Sequence, residues 1–186
     1  MLRALGLGSL GVLAGKTAYD AIVEGRLTID TGIGRRVRPL GPVEFDFRAP
    51  PETVFDLIAS PYGDRPPRAL RERVQVWERG SDFVLAAHLT PIGRRIVTTL
   101  ETVRLERPTR FDFRLVRGPV PHLSESFVLE PLGDGTSLVW SGELGTDFGA
   151  AGSWWADRVA TAWERAVAHS LAAVSAEIDR RAARAV

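Results

Sequence analysis

The chain has 186 residues, with 24 basic and 23 acidic side chains and a net charge of +1. This length is sufficient for one domain with its own core, and the balanced charge gives no footprint for a nucleic-acid partner. There is no cysteine, which excludes disulfides, thiolate metal sites and cysteine nucleophiles.

The N-terminal stretch differs in character from the rest of the chain. Met1 to Ala14 is apolar or small apart from Arg3 and Ser9. Such a run is typical of a signal peptide or a short membrane anchor, and it also suits a helix packed on the domain or on a second subunit. The protein is therefore expected in the cytoplasm or on a membrane that it contacts through this segment, with export as a further alternative. The oligomeric state is left open.

Three segments follow from these patterns. Residues 1–24 are predicted as an apolar N-terminal helix, residues 25–42 as a linker rich in glycine and arginine, and residues 43–186 as the folded domain.

Alternating apolar and polar residues predict seven strands, with one helix after the first. Val43 to Arg48 forms the first strand, and a helix with proline in its first turn runs from Ala49 to Ser60. Six further strands are predicted at Val74–Glu78, Asp82–Thr90, Arg94–Arg107, Arg110–Gly118, His122–Pro131 and Thr136–Asp147. Short turns rich in glycine and proline separate them, which predicts an antiparallel meander.

The C-terminal segment from Ala150 to Arg184, 35 residues, is predicted to form one amphipathic helix. At 100° per residue a single stripe contains Val159, Trp163, Val167, Ser170, Val174 and Ile178. A helix of this length, about 50 Å, needs a broad curved partner to bury that stripe. The sequence therefore predicts an α+β fold in which a curved, antiparallel, seven-stranded sheet wraps around a long C-terminal helix.

Three stretches resemble the helix-grip fold of the START-like (SRPBCC) superfamily. They are Phe45 to Pro50 followed by Val54-Phe55, then Phe127 to Thr136, and then the long last helix. The superfamily takes in pollen-allergen proteins, lipid-transfer START domains and bacterial polyketide cyclases or aromatases. The resemblance implies a cavity for a hydrophobic small molecule between the sheet and the last helix. One departure is that the prolines after Ser60 leave little room for the family's second helix before the second strand.

Strand alternation brings three charged residues to the inner face of three adjacent strands. Glu101, Arg117 and Glu125 all point inward in this assignment, and the arginine can lie between the two carboxylates. Such a cluster is either the polar focus of an apolar cavity or a solvated or salt-bridged group at the rim that only fixes the fold.

The full set of candidate cavity residues is Thr99, Glu101, Phe113, Leu115, Arg117, Glu125, Phe127, Trp140, Trp163 and Ser170. No catalytic residue is assigned. If Leu85, Ala87 and Leu89 point inward, His88 projects to the outer face of the sheet, as does His122. His169 lies off the helix stripe, so no paired ligands arise, and we predict no metal and no cofactor.

The leading functional hypothesis is binding of a hydrophobic small molecule such as a lipid, a polyketide or another polycyclic compound. One alternative is an enzyme similar to polyketide cyclases or aromatases, in which Glu101, Glu125 or Arg117 polarises a carbonyl or moves a proton. Another is a protein-interaction module of the same fold. The fold alone does not choose between them.

Overall fold

The computed structural model of the chain describes residues 15–66 and 68–184. Met1 to Ala14, for which the sequence predicts a signal, an anchor or a packed helix, lies outside the described residues. Helix α1 occupies residues 15–23, directly after that segment. No helix within the two described ranges has the length and apolar character needed to cross a bilayer.

Seven antiparallel strands form one sheet in the order β1-β7-β6-β5-β4-β3-β2. From β3 to β7, every strand pairs with the strand before it in the chain, because short turns connect them. The strands are β1 Arg36–Phe47, β2 Val74–Arg79, β3 Phe83–Ile92, β4 Arg95–Glu106, β5 Arg110–Arg117, β6 His122–Leu132 and β7 Gly135–Thr146. The last strand pairs with the first, so β1 and β2 are the two edges of the sheet.

The long helix α4, Gly149–Arg184, packs against β1, β7 and helix α2, Pro51–Ala59. Its buried residues are Gly152, Ala156, Val159, Ala160, Leu171 and Ile178. The small residues near its start let the helix backbone approach the sheet: a Cβ on Gly152 would lie 1.8 Å from the carbonyl oxygen of Asp147. This arrangement confirms the predicted α+β helix-grip fold.

In the residues that the structure describes between α2 and β2, the chain forms only short helical turns. A 3₁₀ turn covers Ser60–Tyr62, and helix α3 covers Arg68–Arg71. The reduced second helix agrees with the prolines of this segment, since proline lacks the backbone N–H that helix continuation needs.

Strand β1 begins at Arg36, seven residues before the predicted start at Val43. The pairing register with β7 shifts between Leu40 and Val43, around Gly41 and Pro42. This irregularity breaks the alternation that a sequence pattern depends on, so only the second half of the strand is visible as a period of two.

Residues 24–35, here called the N-terminal strap, are fixed along one end of the sheet. The carbonyl of Glu24 accepts a hydrogen bond from the backbone N–H of Thr98 (2.9 Å), and Thr28 Oγ1 both donates to and accepts from the backbone of Gly118. Farther along, the buried carboxylate of Asp147 accepts hydrogen bonds from the backbone N–H groups of Thr31 (2.6 Å) and Gly32 (2.9 Å). The strap therefore joins the ends of β4, β5 and β7.

Candidate functional site

One enclosed polar group on the inner face of the sheet is the carboxyl group of Glu125. It lies on β6 and is 7% exposed. Its Oε2 accepts two hydrogen bonds of 2.8 Å, one from the indole Nε1–H of Trp140 on β7 and one from that of Trp163 on α4. The two indoles come from opposite sides, sheet and helix, so they fix the carboxyl group in the space between these two layers.

Burial raises the pKa of Glu125 from 4.5 to about 8, and the nearby charge of Glu101 adds to this increase. The two indole N–H groups oppose the shift because they stabilise the charged form, but they do not outweigh it. At neutral pH the carboxyl group is therefore mostly neutral. Since Oε2 accepts both indole hydrogen bonds, the acid proton belongs on Oε1, where it can be donated.

A second polar group consists of Tyr62, His88 and Glu101. The hydroxyl of Tyr62 lies 2.8 Å from Nε2 of His88, and Nδ1 of His88 lies 3.3 Å from Oε2 of Glu101. All three side chains are largely enclosed, and Glu101 is 3% exposed. His88 Nδ1 is buried and its contact with Glu101 is not aligned as a hydrogen bond, so a small rotation of the ring is needed to form one.

The pKa of Tyr62 is raised well above 10, first by burial and then by the charges of Glu101 and Glu125. The side chain therefore remains a phenol and donates its hydrogen to Nε2 of His88. The remaining nitrogen, Nδ1, then carries the imidazole proton and faces Glu101.

Aromatic rings connect the two polar groups. The ring of Phe113 lies 6.2 Å from those of Tyr62 and His88 and 5.4 Å from Phe127, and Phe127 lies 6.4 Å from Trp140. The rings form a continuous apolar surface from Tyr62 to Trp140, and Glu125 pairs with Phe113 in the strand register. A flat, hydrophobic molecule on this surface would meet both polar groups.

Two depressions open on the surface of the described structure. One of about 380 Å³ is bordered by Pro61, Gly63 and Asp64, the residues that flank Tyr62. The larger one, about 740 Å³, spans the outer face of the sheet, where polar side chains such as Arg104 and Asp112 border it. Of these two depressions, the smaller one adjoins the loop that contains Tyr62 and is also bordered by residues of the edge strand β2.

This arrangement can be compared with known proteins. The model of the family described as polyketide cyclase / dehydrase and lipid transport matches residues 42–179, about three quarters of the chain. The chain belongs to this family. The assignment confirms the START-like (SRPBCC) resemblance on which the sequence analysis relied. No curated protein matches the chain by sequence.

Solved structures share the fold of this family member at low sequence identity. The Zhui aromatase/cyclase from Streptomyces sp. R1128 is 21% identical with a TM-score of 0.63, covering 80% of this chain and 96% of that one. Norcoclaurine synthase from Thalictrum flavum, in complex with dopamine and hydroxybenzaldehyde, is 13% identical with a TM-score of 0.57, covering 82% and 95%. Ara h 8.0201 is 15% identical with a TM-score of 0.59, covering 78% and 98%. At these identities the similarity shows the fold alone.

Most of the candidate cavity residues of this family member lie together in the structure. Thr99 and Glu101 on β4 are buried, and Leu115 on β5 is partly buried beside Glu101 in the strand register. The aromatic candidates are all in or against the same core cluster, namely Phe113, Phe127, Trp140 and Trp163.

Arg117 does not lie between the two carboxylates, which corrects the sequence assignment. In the pairing of β4 with β5, Glu101 faces Leu115 but Leu100 faces Arg117, so Val116 is an extra residue in β5. This bulge reverses the alternation, and Arg117 takes the same outer face as Leu100. There its guanidinium lies 5.8 Å from the ring centroid of Trp77 on β2.

Ser170 also departs from its expected position. The serine is exposed, whereas the next residue, Leu171, is 3% exposed and takes the buried place on α4. The stripe keeps its place on either side of this serine, since Val167 and Val174 pack against the core and Ile178 is 5% exposed, so Ser170 is the one stripe residue that is exposed. We therefore do not retain Ser170 as a cavity residue.

Sequence reasoning missed two residues of the site, Tyr62 and His88. The sequence placed His88 on the outer face, but Val84, Ala86 and His88 point inward on β3. Ala87 is buried on the opposite face, outside the main core cluster, so both faces of this strand are apolar and alternation cannot identify the core side. Tyr62 lies in a proline- and glycine-rich loop that has no periodic pattern.

Proposed function

We propose that the chain binds a hydrophobic small molecule with a carbonyl or hydroxyl group, such as a polyketide, a lipid or another polycyclic compound. The ligand would lie between the sheet and α4. The observation that supports this proposal is the neutral, oriented carboxyl group of Glu125 beside an aromatic surface. Within the described residues no hydrogen bond reaches its Oε1, so a ligand oxygen can accept the acid proton there.

A binding experiment with two matched probes tests this proposal. 2-Tetralone and tetralin have the same bicyclic skeleton, and only the former has a carbonyl oxygen. We expect the full-length protein to bind both and to prefer 2-tetralone by about tenfold, the effect of one hydrogen bond to a buried acid. Isothermal titration calorimetry measures both dissociation constants.

Variants of Glu125 show whether the preference arises at this residue. Glu125→Gln retains both an N–H donor and a carbonyl acceptor, so we expect the preference for 2-tetralone to change by no more than about threefold. Glu125→Leu removes the donor, and the preference should disappear. This variant also leaves two indole N–H groups unpaired, so cooperative urea unfolding serves as its control for folding. Equal affinities of wild-type protein for the two probes would contradict a ligand contact at Glu125, and binding of neither would contradict a hydrophobic site.

A second candidate function is an enzyme similar to polyketide cyclases or aromatases. The specific observation in its favour is that Glu125 has a pKa of about 8, which suits a general acid at neutral pH. In such an enzyme, a carbonyl oxygen of the substrate would receive the proton of Glu125 as negative charge develops on it.

A further inference from the structure

We propose that Tyr62, His88 and Glu101 form a proton relay that removes a proton from a carbon adjacent to a carbonyl of the bound ligand. The inference rests on the proposed binding site and adds the base that would work with the acid at Glu125. It gives the site a reaction class, enolisation of a hydrophobic ketone.

The contacts form a chain from Tyr62 through His88 to Glu101. Tyr62 Oη lies 2.8 Å from His88 Nε2, and His88 Nδ1 lies 3.3 Å from Glu101 Oε2. The histidine thus bridges a hydroxyl and a carboxylate through its two nitrogens, the arrangement in which a carboxylate orients an imidazole and stabilises its protonated form. Of these groups, Tyr62 adjoins both the Phe113 ring and the loop that borders the smaller depression, so it is the one that would touch a ligand.

A purely structural role does not explain this cluster well. Glu101 is buried on an apolar inner face, and His88 Nδ1 is buried without an aligned hydrogen bond within the described residues. An incompletely paired polar group in a core costs free energy, whereas an apolar residue at either position would not. Hydrogen bonds of catalytic groups are often loose before substrate binds and tighten in the complex.

The proposed step balances without any further reactant. The C–H bond next to the ligand carbonyl breaks, and its proton passes to Tyr62 Oη. The original hydroxyl proton of Tyr62 moves to His88 Nε2, which becomes an imidazolium beside Glu101. The electron pair of the broken bond shifts onto the carbonyl oxygen, which takes the proton from Glu125. The product is the enol. Reversal of the step returns Tyr62, His88 and Glu125 to their starting protonation states.

Tyr62 and Glu125 flank the same ring of the aromatic surface. The ring of Phe113 lies 6.2 Å from that of Tyr62, and Glu125 on β6 is the residue that pairs with Phe113 in the strand register. A flat ketone on that surface can direct its carbonyl oxygen to Glu125 and an adjacent carbon toward Tyr62. The inferred substrate class is therefore a planar or ring-forming ketone.

Hydrogen–deuterium exchange of 2-tetralone tests the relay. In D₂O near neutral pD, the full-length protein should accelerate exchange of the methylene protons next to the carbonyl by about 100-fold over buffer, as followed by proton NMR. Tyr62→Phe, His88→Gln and Glu101→Gln should each reduce that acceleration at least about tenfold, with 2-tetralone affinity unchanged within about threefold. His122→Gln is the matched control, because His122 also contacts a glutamate, Glu143, at 2.8 Å, but outside the site and exposed to solvent.

A second readout depends on the relay but not on turnover. Nitrogen-15 NMR of the histidines should show His88 as the neutral tautomer with its proton on Nδ1, and Tyr62→Phe should shift its Nε2 resonance while leaving that of His122 in place. The opposite tautomer would overturn the relay, as would full exchange activity in both His88→Gln and Glu101→Gln. Binding of 2-tetralone without acceleration overturns the relay and leaves the binding proposal standing, whereas lack of binding overturns both.

Discussion

Replacement of Glu125 by glutamine is expected to stabilise the protein at alkaline pH. The folded-state pKa of Glu125 is about 8, above its ordinary value of 4.5. Between these two values the folded protein keeps a proton that the unfolded chain has released. The free energy of unfolding therefore falls as pH rises through this window, by about 3 to 5 kcal/mol from this group alone. Glutamine imitates the protonated acid at every pH, so Glu125→Gln should lack this decline.

Urea unfolding at about pH 5 and about pH 9 gives, for each protein, the change in the free energy of unfolding between the two pH values. The effect of Glu125 is the difference between this change in wild type and in Glu125→Gln. Contributions to the pH dependence from groups distant from Glu125 are the same in the two proteins, so they cancel in this comparison. Glu101→Gln provides a further control. Removal of the charge of Glu101 should lower the pKa of Glu125, so the free energy of unfolding should fall less as the pH rises. Parallel pH profiles of wild type and Glu125→Gln would show that Glu125 is ionised in the folded protein at neutral pH, contrary to the role proposed for it.

Asp147→Asn is expected to loosen the N-terminal strap and to lower the thermal midpoint by about 5 to 10 °C. The buried carboxylate of Asp147 accepts hydrogen bonds from Arg35 Nε and from Thr31 and Gly32. An asparagine nitrogen would face one of these donors, and the charge opposite Arg35 would be lost. Arg35, followed by the strap N–H groups, holds the pKa of Asp147 well below its ordinary value of 3.8.

Because the folded-state pKa is lowered, the contribution of Asp147 is present above about pH 4 and is lost as the pH falls below that value. Thermal unfolding of Asp147→Asn and wild type at neutral and acid pH should therefore show a difference that shrinks in acid. Asp157→Asn is the matched control, since Asp157 also pairs with an arginine, Arg38, but is 70% exposed; its midpoint should change by less than about 2 °C. An equal midpoint shift in the two variants would contradict a special role for the buried carboxylate.

The pattern of apolar residues was enough to predict the sheet and the long helix around which it wraps. Strands β3 to β7 fall within a few residues of their predicted bounds, because they are long, regular and separated by glycine- or proline-containing turns. The placement of Glu101 and Glu125 on the inner face follows from the same alternation, since their segments of β4 and β6 have one apolar and one polar face.

The positions of Arg117 and His88 could not be read from the sequence. A single extra residue at Val116 turns Arg117 to the opposite face of β5, and nothing in the local pattern signals the insertion. On β3, apolar residues lie on both faces because the sheet there is also covered on the outside, where Ala87 is 1% exposed. Period-two alternation identifies a buried face only where the other face is polar.

The sequence by itself determined the fold class and the inward direction of two carboxyl groups, because these depend on periodicity and on local turn chemistry, and its resemblance to known proteins indicated the family. Only the tertiary structure decided the polar partners of those carboxyl groups. Glu125 is held by indoles from β7 and α4, and Glu101 faces a histidine that is held in turn by a tyrosine from an irregular loop. These contacts join residues distant in the chain through bulges, loop paths and the docking of a helix, and such long-range geometry leaves no periodic trace in one sequence.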